Sequence, residues 1–406
     1  MNIRGPSRTG CWSVQVVVLL LCASALLRGG TGSGAAAGLA QPAGAVKIER
    51  SSPLRVEPLY DDPQLVTDEE LAAVLRQVLP KFGADKLKPN FVEHALRIWG
   101  ADARFYDEGA MSGAQMCEFL VDHGKYLASL GPDVAPLLND AAVGVSVRWG
   151  REPGASVHHD HWLASLSEAG VALNEQVFTP RPGTHTLADV LRQALADFRP
   201  DERETEWSAL AFGLWLPPVR EWTTLEGRRV SFDMLARRLL RGDQRFGVCH
   251  GTHRVYSLVV LLRLDQSFHI LSDDVREALK NHLRNVRDWI TESQFDDGHW
   301  PSNWHLGRRA VDFPVPDELK DKVISTGHHL EWLSIAPEEF HPPREQVRKA
   351  ARWAIETTLS RSSQQILEQY TFFTHVGGAL AAWRKVRPAE FLWSRATAQA
   401  GVQPAP

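Results

Sequence analysis

Three histidine-bearing segments in the second half of the chain carry the residue types that could do chemistry. They are Cys249-His250-Gly251-Thr252-His253, Ser325-Thr326-Gly327-His328-His329 and Thr374-His375-Val376-Gly377-Gly378. Each sets a small hydroxyl or glycine beside histidine and then enters an apolar stretch with helical character. Histidines at successive helix starts are expected to converge on one polar pocket. A helix N-terminus disfavours imidazolium, so such rings are neutral and suited to metal ligation or general-base work. Cys249, His253 and His328 form a borderline-soft set, and zinc is the ion it would suit. His328 and Glu331 stand three apart, on one side of a helix, as a base and the carboxylate that holds its ring. His375 is the second candidate for acid–base work. His250, His253, His329 and Trp332 are expected to line the ligand site. His158-His159-Asp160-His161 makes a separate cluster, readable as a polar loop.

Those segments need rigid helices around them, and the pattern supplies two kinds. Trp207–Leu216, Val255–Leu264, Leu330–Ala336 and Val376–Trp383 are apolar nearly all round. Leu187–Phe198, Phe232–Arg241, Asp273–Ser293 and Arg344–Leu359 carry a single apolar stripe. A helix apolar on every face is buried and a one-striped helix lies at the surface. Their alternation predicts a mainly α chain in which residues 185–393 form an α/α-toroid, with inner helices wrapped by outer ones. Before it, 67–180 reads as an N-terminal helical region. Thr67 and Glu70 make a capping box, helices are expected over Phe91–Trp99 and Gly113–Leu130, and Ala142–Trp149 is the best strand candidate, leaving room for a short strand pair. Residues 41–66 read as a linker and 394–406 as a disordered tail.

The first 40 residues are a leader: Arg4 and Arg8, an apolar run from Cys11 to Leu27, then a Gly/Ala-rich stretch without an acid until Glu49. That is the layout of a signal peptide, cleavable after the small residues around Ala35–Ala40, or of an uncleaved anchor. Either implies export to the cell envelope or periplasm, with the membrane touched only through this segment. No later apolar run approaches the roughly 20 residues of a membrane span. Beyond the leader there are 42 basic and 49 acidic side chains without long charge runs, which argues against nucleic acid as partner. Only Cys117 and Cys249 remain there, so a disulfide framework is excluded, although one bridge stays open. Fourteen tryptophans against five tyrosines fit aromatic platforms for a small molecule or glycan, with most of the rings in the core.

Gln294-Phe295-Asp296-Asp297-Gly298-His299-Trp300 resembles the QW motif of the terpenoid cyclase and prenyltransferase toroids. The resemblance implies that Gln294, Gly298 and Trp300 clamp an outer helix to its following turn. It implies the fold rather than the terpene chemistry, whose aspartate-rich motif is missing here. Gly327-His328-His329-Leu330-Glu331 is similar to a segment of N-acylglucosamine and cellobiose epimerases, which implies a catalytic His328 supported by Glu331. Cys249-His250-Gly251 resembles the zinc motif of lanthipeptide cyclases, which also draws on a further upstream cysteine. Trp207–Leu216 contains none. Three functions therefore stand at the level of sequence: an exported toroid that binds a small molecule or glycan, a sugar epimerase or isomerase, and a zinc-dependent toroid enzyme.

Overall fold

Helices dominate because the chain repeatedly offers a cap followed by a long apolar period. The computed structural model describes residues 46–242 and 247–400, and the segment read as a leader lies outside them. In chain order the helices are α1 (Asp68–Gln77), α2 (Pro89–Trp99), α3 (Gly113–Val121), α4 (His123–Leu130), α5 (His161–Glu168), α6 (Leu187–Asp197), α7 (Glu206–Trp215) and α8 (Phe232–Arg241). They continue with α9 (Thr252–Phe268), α10 (Asp273–Ser293), α11 (Arg308–Asp312), α12 (Leu319–Ile335), α13 (Arg344–Leu359), α14 (Ser363–Glu368), α15 (Tyr370–Trp383) and α16 (Pro388–Ala400). Among the described residues the strands form three short antiparallel pairs. One sets Leu138–Asp140 against Val145–Val147, of which the second lies within the expected strand. The chain is thus mainly α, as the sequence implies.

Six helices are buried on nearly every face: α2, α5, α7, α9, α12 and α15. Each packs on the next in that order, and α15 packs back on α2, so their contacts close in a ring. The one-striped helices lie outside. α8 and α10 cover α7 and α9, while α13 covers α12 and α15. The stripe of α10 is Val275, Leu279, Leu283, Val286 and Ile290, every one buried, as its i, i+3, i+4 spacing dictates.

The turn after α10 is fixed by Gln294, whose Nε2 donates to Gly298 O at 2.9 Å and to Gln346 O on α13 at 2.8 Å. Trp300 is fully buried and its indole N–H returns to Ile290 O at 2.8 Å. Gly298 has φ 104, and a Cβ there would stand 2.4 Å from Lys349 O, so only glycine fits. The residues of the QW-like motif therefore tie α10 both to its own turn and to α13.

Several boundaries differ from expectation. The described residues all belong to one compact unit. The region 67–180 is not a separate body, because α2 and α5 stand in the same ring as the later helices. Gly113–Leu130 is broken at Asp122, which turns extended, bridges to Phe178 and caps α4 by accepting from Gly124 N and Lys125 N. The segment read as a linker is a strap over the helix ends. Leu54 N, Leu59 N and Asp62 N donate to Leu214 O, Ser334 O and Trp383 O at 2.9, 2.9 and 2.8 Å. These are last-turn carbonyls of α7, α12 and α15, which have no partner inside their own helices. The expected tail is helical from 394 to Ala400, and 401–406 lie outside the described residues. No helix among the described residues is long and apolar enough to cross a membrane. Cys117 and Cys249 are both free thiols.

Candidate functional site

Each of the six ring helices sends one aromatic or imidazole side chain to a common level. In order they are His94 from α2, His161 from α5, Trp207 from α7, His253 from α9, His328 from α12 and His375 from α15. Successive ring centroids are 4.6, 4.3, 4.3, 4.4 and 3.8 Å apart, and His375 returns to His94 at 5.2 Å. The belt is closed, and all six side chains are buried.

Local hydrogen bonds fix most of the rings. His94 Nδ1 lies 2.7 Å from Asn90 O, and His328 Nδ1 lies 2.7 Å from Ile324 O. A carbonyl only accepts, so in both rings Nδ1 carries the proton and Nε2 is a bare lone pair. His375 Nδ1 is 3.0 Å from Glu331 Oε2, and His161 Nδ1 meets the carboxyl of Glu93. The Nε2 atoms of His161 and His375 are buried without a partner. His328 Nε2 lies 2.9 Å from His253 Nε2. For that contact to be a hydrogen bond His253 must donate from Nε2, which leaves its Nδ1 a lone pair with no donor. The indole N–H of Trp207 also lacks an acceptor. Burial holds all five histidines well below the ordinary imidazole pKa, with neighbouring histidines and Arg97 adding to it, so they are neutral at pH 7. Burial also pushes Glu93 up to about 8.

One helical turn further lies a second layer. Arg97 bonds the carboxylate of Glu168 and, at 2.9 Å, Glu331 Oε1, while Tyr256 donates its hydroxyl to Glu168. Burial works against the charge of Arg97, but Glu168 and Glu331 outweigh it and hold the guanidinium protonated. Below this layer is a cavity of ≈ 680 Å³. Arg97, Glu168 and Tyr256 form its inner wall, Trp99 and Leu214 its sides, and the strap at Arg55 and Glu57 its outer edge.

Two sets of potential ligand atoms come together at the belt. Those of Cys249, His253 and His328 lie within 4.8 Å of one another, as do those of His328, Glu331 and His375. Cys249 stands in the turn before α9, where Cys249, His250 and Gly251 take φ of 49, 59 and 82. Non-glycine residues in that region cost of order 1–3 kcal/mol each and persist only where the surroundings demand them. Here the left-handed run brings the thiol level with His253, in the first turn of the helix. Burial, then the nearby Glu331, push the Cys249 thiol up to about 12.

The expected residues divide. His253, His328, His375 and Glu331 meet at the site. His328 does not open its helix: α12 begins nine residues earlier, at Leu319, and the ring is neutral through burial rather than through the helix dipole. Glu331 does not hold His328, whose Nδ1 is taken by Ile324 O; it holds His375 and Arg97. His329 and Trp332 point away from the belt. The Trp332 indole donates to His329 Nδ1 at 2.9 Å, and His329 lies against Trp300 and Trp304. His250 is off the belt too, half-buried with Nε2 3.4 Å from Asp321. The 158–161 cluster is not separate, since His161 is a belt member. His158 and His159 sit beside it, paired with Glu204 at 2.7 Å and Glu202 at 2.8 Å.

Glu93, His94, Arg97, Glu168, Trp207 and Tyr256 escape a reading of the sequence. The available signal is Glu93, His94 and Arg97 at i, i+1 and i+4 in the otherwise apolar helix Phe91–Trp99. With the geometry in hand, comparison brings no relative. No family model, no curated protein and no solved structure matches the chain.

Proposed function

We propose that this chain is a metal-dependent enzyme, with a divalent ion, zinc by the character of its donors, held by Cys249, His253 and His328. The observation that carries the reading is the convergence of those three donor groups within 4.8 Å in a buried interior. Three protein ligands leave a fourth position for water or substrate, the pattern of catalytic rather than structural zinc sites. The hydrogen bond from His328 Nδ1 to Ile324 O is the kind that orients metal-ligating histidines. The charge inventory agrees: Glu168, Glu331 and a thiol that an ion would deprotonate face the single guanidinium of Arg97. A bound ion supplies Lewis acidity, polarising a carbonyl or lowering the pKa of water.

The chain's own residues position the reactants. The 680 Å³ cavity is of the size that holds a small molecule. Its aromatic faces, Trp99 and Phe391, alternate with charged groups such as Asp102 and Arg387, a lining that suits a small polar molecule of the sugar class. Arg97 and Tyr256, between cavity and belt, are placed to orient it, and the free indole N–H of Trp207 is a donor at the level of the histidines. The closed contact order of the six buried helices supports an α/α-toroid as the frame.

Elemental analysis of the purified full chain tests the proposal. At least one tightly held zinc per chain is expected, together with loss of that ion in Cys249→Ser and His328→Gln. A chain that carries no transition metal, and whose melting temperature is unmoved by either chelator or added zinc, overturns it.

A further inference from the structure

The ion proposed above takes its ligands from the α9 and α12 side of the belt. On the α5 and α7 side His161 and Trp207 are neighbours, with centroids 4.3 Å apart and both side chains fully buried. The Trp207 indole N–H has no acceptor, and His161 Nε2 has no partner. Whether that nitrogen is a donor is decided at the other end of the ring, where Nδ1 meets Glu93 Oε2. Glu93 is fully buried on α2. Its Oε2 accepts from Ser156 Oγ at 3.1 Å, and its Oε1 has no partner. Among the described residues no arginine or lysine is paired with it, since Arg97, one turn along α2, is taken by Glu168 and Glu331. A carboxyl buried without a counter-charge keeps its proton, and burial accordingly pushes Glu93 up to about 8. Placed on Oε1 the proton would face no acceptor, so it lies on Oε2 and is donated to His161 Nδ1. Burial first, then His94, His158, Arg97 and His375, keep the His161 ring neutral. A neutral imidazole that accepts at Nδ1 carries its own proton on Nε2. Glu93 thereby makes His161 a second buried N–H donor beside that of Trp207.

We propose that the His161 Nε2–H and the Trp207 indole N–H form a donor pair for a substrate oxygen that gains negative charge, with Glu93 the positioning residue that sets the His161 proton. The pair rests on the belt being the reaction site, and it adds to the ion the groups that take up charge on the substrate. Buried donors are ordinarily paired, and these two stand open side by side. Trp207 is also 4.3 Å from the proposed ligand His253, so an oxygen held by the pair borders the ion. Fixed donors aimed at a developing oxyanion, where water is excluded, contribute about 10²–10³ each in rate. The substrate this suits carries a carbonyl group, as an aldehyde, ester or amide does.

Formate, a small carboxylate, is the probe, followed by magnetic resonance on the full chain isotope-labelled at its histidine and tryptophan nitrogens. The indole resonance that vanishes in Trp207→Phe should shift and saturate as formate is added. The signals that vanish in His161→Gln should show a neutral ring with its proton on Nε2 at pH 7. Glu93→Gln should keep that tautomer, because its amide N–H replaces the carboxyl as donor to Nδ1. In Glu93→Leu nothing sets the tautomer, and formate should bind about tenfold more weakly, the loss of one charge-assisted hydrogen bond. Thermal unfolding checks the proton separately. Glu93 is raised in the native state, so its contribution is full below its ordinary 4.5 and is lost as pH rises through about 8. Wild type should therefore lose melting temperature relative to Glu93→Gln between pH 5 and 8. His161 found charged, or protonated on Nδ1, overturns the proposal. So does a Trp207 resonance that formate leaves unmoved or moves equally in Glu93→Leu, or a stability difference that does not change with pH. If Glu93→Leu does not fold, the wild-type tautomer and indole shift decide. Every measurement is repeated on chelator-stripped chain, so that missing zinc counts against the ion and not against the donor pair.

Discussion

Replacing Arg97 with leucine removes the guanidinium that Glu168 and Glu331 share beneath the belt. Glu168 and Glu331, with side chains only 14% and 13% exposed, then lose their shared counter-charge, and Tyr256 and His375 are left bonded to uncompensated carboxylates. The Arg97 side chain is only 3% exposed. Breaking a buried ion pair from one side costs about 3–5 kcal/mol, most of it from the stranded charge. For a unit of roughly 360 residues, an unfolding entropy of about 0.75 kcal/mol per kelvin turns this into a fall of about 4–7 °C in melting temperature. The stranded-charge argument makes a second demand. Adding Glu168→Gln to Arg97→Leu should recover part of the loss, because it removes one of the two unpaired charges. Thermal unfolding by circular dichroism, followed on wild type, both single variants and the double, measures the cycle. An Arg97→Leu chain melting within about 1 °C of wild type would refute the reasoning. So would a double variant whose loss is the sum of the two single losses, since coupled partners should not add.

Trp300→Ala should cost about 3–5 kcal/mol, as for other fully buried tryptophans; an unchanged melting temperature would remove the clamp from the account of α10. Tyr60→Phe deletes the bond to Ala336 O at 2.8 Å and keeps the stack on Trp383, so denaturant titration should read a loss of about 1 kcal/mol. His282 is held down to about 4 by burial and then by Arg254. Between pH 6.5 and 4 the unfolded chain takes up a proton there that the native chain refuses. Stability should therefore fall by about 3 kcal/mol as pH drops through that window, and His282→Asn should flatten the slope. A slope that is the same in variant and wild type would show that other groups set it.

Local pattern carried the helices. Thr67 and Glu70 form the capping box, α8, α10 and α13 run over the residues their stripes mark, and Gln294 and Trp300 bond to the turn and helix beside them in the stretch that resembles the QW motif. These features depend on contacts a few residues apart, and such contacts are written in period and caps. The start of α12 was hidden because Lys320, Asp321 and Lys322 interrupt the apolar run that marks a buried helix. The partners of Glu331 were hidden for a different reason. Its spacing from His328 places both on one side of α12, but the neighbour that side meets is set by the packing of α15 and α2 against it. Only that packing gives Glu331 to His375 and Arg97. It likewise turns His329 and Trp332, close in sequence to His328, toward the outer tryptophans. The sequence by itself determined that neutral histidines would stand on buried helices, with a cysteine beside one of them. The closing of α15 onto α2 decided which five histidines meet, because a ring is fixed by contacts between residues nearly 300 positions apart, and no local period records them.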